Sequence, residues 1–270
     1  MPARTRLRPP VALTIAGCDP SGGAGQEADL KAFLRHGVYG LNLTTLLTVQ
    51  NTHGVQAVAP LDPDFLERQW KALFADFTPA VIKLGALGAL PMVRRVATLL
   101  QRPEARGIPV VLDPVLGSTS GSPLLAAEAL RLFRTKLLPR CRVVTPNVPE
   151  FEALFGNADG SGGADWPARL RALGTRPYAV LLKGGHAGFT GAHINDWLWD
   201  KGRLFTLPGV RHPVGNIHGT GCTLASALAA NLAHGKSLSA AARAAKAFVN
   251  QGIATAPDLG HGHGPLNFMD

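Results

Sequence analysis

Gly219, Thr220, Gly221 and Cys222 stand together in the stretch GNIHGTGCTLASALAANLAHG, where a glycine-rich turn runs into a helix of small residues. The two glycines let the backbone turn tightly and approach a ligand closely. The unpaired N–H groups of the helix that follows, with the positive end of its dipole, would point at whatever occupies the turn. That is an anion hole, and a thiol lies at its junction with the helix. The plain competing reading is a loop that feeds a core helix, with Cys222 a small buried hydrophobe. The stretch is not a P-loop, because GxxxxGK[ST] is absent.

Other residue types converge on the same chemistry. Lys183 in LLKGGH stands at the end of an apolar run beside two glycines, where it could clamp phosphate as a point charge. A solvent-facing lysine is the bland alternative. Asp113 in VVLDPV and Glu150 in TPNVPE are candidate carboxylates for magnesium, which takes oxygen ligands and keeps several waters. Glu150 could equally serve the dipole in the first turn of a helix. GCDPSGGAG is a second glycine-rich turn that reads as a phosphate cradle, a lid or a plain connection, and it lacks GxGxxG spacing. His186, His218, His261 and His263 show no metal spacing and are read as loop histidines.

These residues need elements to position them. Short apolar runs predict buried strands at VALTIAG, LNLTTLLTVQ, AVIKLGAL, IPVVLDPV, CRVVTPN and YAVLLKGG. Amphipathic helices are predicted between them, at QEADLKAFLRHG, DPDFLERQWKALFADF, PMVRRVATLLQR, SPLLAAEALRLFRTKLL, around Glu150 and Leu154, and at DWPARLRALG. AHINDWLWD and RLFTLPG read as a hairpin around Lys201 and Gly202. Two alanine-rich helices, 220–234 and 238–255, close the chain. Buried strands alternating with helices imply an α/β fold with a mostly parallel sheet covered on both faces. Ligands of such sheets bind beyond the carboxyl ends of the strands. Asp113, Asn147 and Lys183 all fall at such ends.

Composition narrows the class. The 270 residues are 46% hydrophobic, enough for a large core, and no linker or repeat divides them. The expectation is a basic, disordered tail over 1–10 and one domain over 11–270. No run reaches the ~18 unbroken apolar residues of a membrane helix. The basic start is followed by no apolar h-region, so a secretory signal is not expected, with a transit peptide the minor alternative. Three widely separated cysteines, without CxxC spacing, argue against a disulfide framework and suit a reducing cytoplasm. The net charge of +9 is scattered, with no nucleic-acid signature. It reads as a solvated basic surface with a mild bias toward anionic substrates.

In combination these stretches are far more specific. LTIAGCDPSGGAGQEADLKAFLRHGVYG, VQNTHGV, KLGALG, VVLDPV, SGSPLL, LLPRCRVVTPNVPEFEALFG, LLKGGH, NIHGTGCTLASALAA and GHGPLN occur in this order. From about Val11 to about Asn267 the chain closely resembles the bacterial hydroxymethylpyrimidine/phosphomethylpyrimidine kinases, of the ribokinase-like superfamily. The resemblance implies a three-layer α/β/α sandwich, usually dimeric. It implies two ATP- and Mg2+-dependent phosphorylations of 4-amino-5-hydroxymethyl-2-methylpyrimidine, to the monophosphate and then to the pyrophosphate used for thiamin. It places Gly17, Ala24, Asp29, Gln50, Ala86 and Val115 in the pyrimidine pocket. Asp113, Asn147 and Glu150 would hold the metal and its waters. Lys183, Asn147 and Thr220 would meet ATP, and Gly219 to Cys222 the transferring phosphoryl group. Pyridoxal kinase, on the same fold, is the nearest alternative. A non-catalytic ligand sensor or nucleic-acid binder on a kinase scaffold is more distant.

Three departures stand out. Cys18 replaces the usual Ser or Thr, Ala86 replaces a methionine, and the loop 116–121 lacks its lysine. The resemblance also sharpens the role of Cys222, where most sugar kinases of the superfamily carry aspartate. A free thiol titrates near 8.5, and a helix N-terminus can lower that. A fixed aspartate would repel a phosphorylated acceptor, whereas a thiol can stay neutral.

Overall fold

The computed structural model describes residues 8–116, 127–156, 165–186, 194–211 and 217–269. Six strands lie parallel in the order β2 (Tyr39–Thr44), β1 (Val11–Ala16), β5 (Val81–Leu84), β6 (Val110–Leu112), β7 (Val143–Val144) and β8 (Ala179–Leu182). The predicted hairpin, β9 (Asp196–Asp200) and β10 (Arg203–Leu207), extends that sheet antiparallel. Its turn uses Lys201 at φ 49° and Gly202 at φ 80°, the positive values a tight hairpin needs.

Strand alternation sorts the core into two layers. Leu13, Ile15, Ile82, Leu84, Leu112 and Val144 face the helices α2 (Pro63–Asp76), α3 (Leu90–Leu99), α5 (Val148–Phe155) and α6 (Trp166–Ala172), through Trp70, Met92, Val96, Phe151 and Leu170. Ala12, Val81, Val111 and Val143 face α1 (Gly25–Arg35), α7 (Thr220–Ala233) and α8 (Leu238–Ala254). The caps are local. Asp62, Asp165 and Ser237 each accept an N–H from the first turn of their own helix, and Pro63 supplies the first residue of α2, where its missing N–H costs nothing.

Two sequence expectations change. LNLTTLLTVQ is not one strand. It breaks at Thr45 into β2 and β3 (Leu46–Asn51), and β3 leaves the main sheet to pair with an unforeseen strand, β4 (Gly54–Pro60). Thr45 is buried at the break, with its N–H on Ala16 O and its hydroxyl on Ala86 O. The helix expected over 122–138 is described only from α4 (Ala127–Leu132), which continues through a π turn, Phe133–Leu137, and a 3-10 turn to Arg140. Residues 117–121 of the departing loop lie outside the described residues.

Candidate active site

The chain forms β1 and β2 on one side and then crosses β1 to place β5 on the other. That reversal opens a crevice at the carboxyl ends of β1 and β5, the general binding position in open α/β sheets. The loop 17–25 follows β1 and lies at this crevice. The turn 218–222 closes against it. A Cβ on Gly219, at φ 82°, would sit 1.8 Å from Gly23 O, so only glycine fits. A Cβ on Gly221 would lie 3.1 Å from Lys183 Nζ. The glycine pair of the anion hole therefore serves close approach on both sides, to the first loop and to a cation.

Strands β6, β7 and β8 deliver the charged groups. Lys183 Nζ is 2.9 Å from Asp113 Oδ1 and 3.6 Å from Glu150 Oε2. Asn147 bridges to Lys183 through the backbone, and Thr145 donates to Asp113 at 3.3 Å. Burial alone would raise Asp113, but Lys183 and Lys83 hold it below the ordinary carboxylate range. Glu150 goes the other way. Burial pushes it up to about 7, and Lys183 only partly offsets that because Asp113 repels the same charge. Two carboxylates share one ammonium, so a further cation is what this cluster lacks. Oxygen donors with unbalanced negative charge suit Mg2+. Among the described residues no group of three or more His, Cys, Asp or Glu could hold a metal. Glu150 also realises its structural role: it forms a reciprocal cap with Asn147, Oε2 accepting Asn147 N–H at 2.7 Å and Asn147 Oδ1 accepting Glu150 N–H at 2.9 Å.

The Glu150 shift has a sign that can be checked. The fold holds its proton more tightly than the unfolded chain, so this group's contribution makes stability fall as pH rises from about 4.5 to about 7 and level off above. Urea titrations of metal-free protein should show that slope, and Glu150→Gln, which keeps the cap, should remove it. An unchanged slope would place the titration elsewhere.

Asp29, expected in the pyrimidine pocket, is engaged inside the fold. It is fully buried, and its carboxylate accepts from Thr14 Oγ1 at 2.6 Å, from Lys83 Nζ at 2.8 Å and from Ser226 Oγ. Thr14 and Lys83 are register partners on β1 and β5, and alternation turns both toward α1 and α7. Burial disfavours charge on Lys83, but Asp29, followed by Cys222 and Asp113, more than compensates and holds the ammonium above its ordinary range. This buried lysine, hidden in the apolar run VIKL, escaped the sequence reading.

Cys222, half-buried, follows the same logic. Burial pushes its thiol up to about 12. Lys83 and the Gly25 N–H pull it down, and Asp113 and Asp29 push it further up. The lowering expected from a helix N-terminus is therefore outweighed, and at neutral pH the thiol is protonated. Cys18 is raised to about 11 by burial and by Glu27, whose Oε1 accepts its S–H at 2.9 Å. All three cysteines are free.

The other expected pocket residues stand in the loops after β1, β5 and β6 and on β3. Gly17 is buried, and its carbonyl accepts Gln26 N–H. Ala24 N–H is held by Asp19 Oδ2 at 2.8 Å. Ala86 and Val115 are half-buried after β5 and β6. Gln50 extends from β3, with Nε2 2.7 Å from His218 Nε2. His218 is thus no plain loop histidine. It joins the anion-hole turn to Gln50 and, at 3.1 Å, to Asp19. Burial would raise Asp19, but His218, Ser21 and Ala24 hold it down at about 2. His261 is exposed, and His263 N–H pairs with Thr52 O.

A doubly wound sheet with a glycine anion hole and a Lys–carboxylate cluster at its carboxyl edge defines a small-molecule kinase of the ribokinase-like class. Solved structures agree. The ADP complex of Staphylococcus aureus pyridoxal kinase superposes with TM-score 0.86 at 30% identity, covering 97% of this chain and 94% of that one. A Clostridium difficile phosphomethylpyrimidine kinase superposes with TM-score 0.74 at 34% identity, covering 89% and 97%. The family model for phosphomethylpyrimidine kinase matches residues 19–267, and the chain belongs to that family. Its hydroxymethylpyrimidine/phosphomethylpyrimidine kinase relatives include one from Salmonella typhimurium, 42% identical over 95% of this chain and 96% of its own length. Another, from Escherichia coli, is 40% identical with the same coverage. Among the described residues no helix is long and apolar enough to cross a membrane.

Proposed function

We propose that the protein transfers the terminal phosphoryl group of ATP to the hydroxymethyl oxygen of 4-amino-5-hydroxymethyl-2-methylpyrimidine, and then a second one to the monophosphate formed, in the route to thiamin. The observation that carries this reading is Lys183 Nζ seated against Gly221, which puts a cation beside the first turn of α7. Gly17, Ala24, Gln50, Ala86 and Val115 border the acceptor. Lys183, Thr220 and the amide nitrogen of Asn147 meet the nucleotide phosphates. Asp113 and Glu150 would hold Mg2+, which when bound neutralises charge on phosphate oxygens. Pyridoxal phosphorylation is the second reading, favoured by the S. aureus likeness at 30% identity but set against 42% to the Salmonella relative. ADP release with each alcohol, followed by phosphorus NMR of the products, tests both. Pyrophosphate from the aminopyrimidine supports the two-step reading, and monophosphate alone overturns its second half.

A thiol held up at about 12 is a poor base but an uncharged neighbour. In a loose transition state the nucleophile needs little deprotonation until late. The second acceptor, a phosphate monoester with its second pKa near 6, needs no base. Cys222→Ala is expected to slow the first step about tenfold, below the ~10²-fold at which general-base contributions begin, and the second less. Cys222→Asp should harm the second step more, by repelling a dianion. Single-turnover rates for each acceptor measure this, and equal losses in both steps would reduce Cys222 to packing.

We further propose a homodimer in the reducing cytoplasm. Leu47 and Val49 are exposed on one face of the β3–β4 hairpin, an apolar surface of the kind that pairing covers. A monomer by sedimentation at micromolar concentration would refute the dimer.

A further inference from the structure

Asp19, Gln50 and His218 come from three separate elements, the loop after β1, the hairpin strand β3 and the anion-hole turn. His218 is the side chain that touches both of the others. Its Nε2 lies 3.1 Å from Asp19 Oδ2 and 2.7 Å from the Gln50 amide. Its own backbone is held by Gly264 O and by a parallel bridge to Pro265, so the imidazole is anchored from behind.

One nitrogen cannot donate to a carboxylate and accept from an amide N–H at once. Asp19 is an ionised acceptor, already receiving Ser21 N–H, Ser21 Oγ–H and Ala24 N–H. A bare Nε2 lone pair would repel it, so the proton belongs on Nε2. The two ends of a glutamine amide are near-isosteric, and the network decides which is oxygen. Only the oxygen can face Nε2–H. The amide nitrogen then faces Thr48 Oγ1, 3.2 Å from that end of the amide. Thr48 can accept there, because its own hydrogen goes to Cys18 O at 2.9 Å. In this orientation the one Nε2–H is shared between Asp19 Oδ2 and the Gln50 oxygen and each remaining contact joins a donor to an acceptor, whereas the reverse orientation sets two donors or two acceptors against each other.

We infer that His218 is a specificity-determining positioning residue, whose Nε2–H fixes the Gln50 amide so that one N–H and one oxygen lone pair remain for the acceptor. That pair matches a ring nitrogen beside an exocyclic amine, and a pyridine alcohol without the amine leaves the oxygen unmatched. The inference rests on the reading above that Gln50 borders the acceptor.

The test has two arms. Nitrogen-15 NMR of labelled imidazoles in the full-length protein should show His218 protonated on Nε2, and an Nδ1-protonated neutral ring would overturn the assignment whatever the substrate. In the second arm, His218→Leu removes the donor and His218→Gln restores an N–H near the Nε2 position. His218→Leu should raise KM for the aminopyrimidine alcohol about tenfold, the order expected for one hydrogen bond. Its kcat and its ADP affinity should change little, and KM for pyridoxal much less. His218→Gln should recover most of the loss. An equal rise in KM for both alcohols, or no recovery with Gln, would overturn the specificity role. If wild-type protein phosphorylates pyridoxal but not the aminopyrimidine, the functional reading fails and takes the specificity role with it, and the NMR arm still decides the hydrogen-bond assignment on its own.

Discussion

Lys183→Met is expected to lower kcat about 10³-fold, in the range for losing one preorganised charge from a phosphoryl-transfer site. Its ammonium lies 2.9 Å from Asp113 and against Gly221, at the first turn of α7. Phosphoryl transfer gives the protein little covalent chemistry to do, so positioning and charge carry most of the rate. The variant also strips the cation shared by Asp113 and Glu150. Glu150, already raised to about 7, should rise further and take up a proton. The metal-free variant should therefore lose more stability at pH 8 than at pH 6. Lys183→Arg should keep the charge and recover part of kcat. The measurements are steady-state kinetics and urea midpoints at the two pH values. A loss below tenfold would remove Lys183 from the transfer step.

Asp29→Ala should destabilise the fold by about 3–5 kcal/mol, the usual cost of stranding one charge of a buried pair. For a chain of this size that is a fall of about 10 °C in Tm. Lys83 and Asp29 are both inaccessible to solvent, and the substitution leaves Thr14 and Ser226 without their shared acceptor as well. The sharper test is Asp29→Ala combined with Lys83→Met. Replacing both charges by apolar groups is often nearly neutral, so the double variant should melt well above the single one. Calorimetry decides it. If the two melt together, the ion pair is not the unit that matters, and the cavity left by Asp29 accounts for the loss.

Much of the site was legible in the chain. Asp113, Asn147 and Lys183 could be placed because a parallel sheet sends the carboxyl ends of its strands to one edge, and each of the three follows an apolar run. The turn at 219–222 could be marked because a glycine pair before a helix permits close approach, while the same pattern also fits a plain loop feeding a core helix. The resemblance supplied Gln50 and Ala24, which composition and periodicity would not have singled out.

The rest depended on distance along the chain. Alternation puts Lys83 on one face of β5, but not until β1, α1 and α7 pack there does it meet Asp29, 54 residues away. Asp29 itself reads as a polar residue early in a helix, and burial on that helix's inner face gives it an ion pair that its local sequence does not announce. His218 gained its meaning from Gln50 and Asp19, 168 and 199 residues away. Local spacing determines which side of an element a residue occupies and where a turn can form. Which charges become neighbours, and hence whether a thiol is lowered by a helix end or raised by burial, was decided only when the layers closed, because desolvation and Coulomb interaction depend on the whole surroundings rather than on the adjoining sequence.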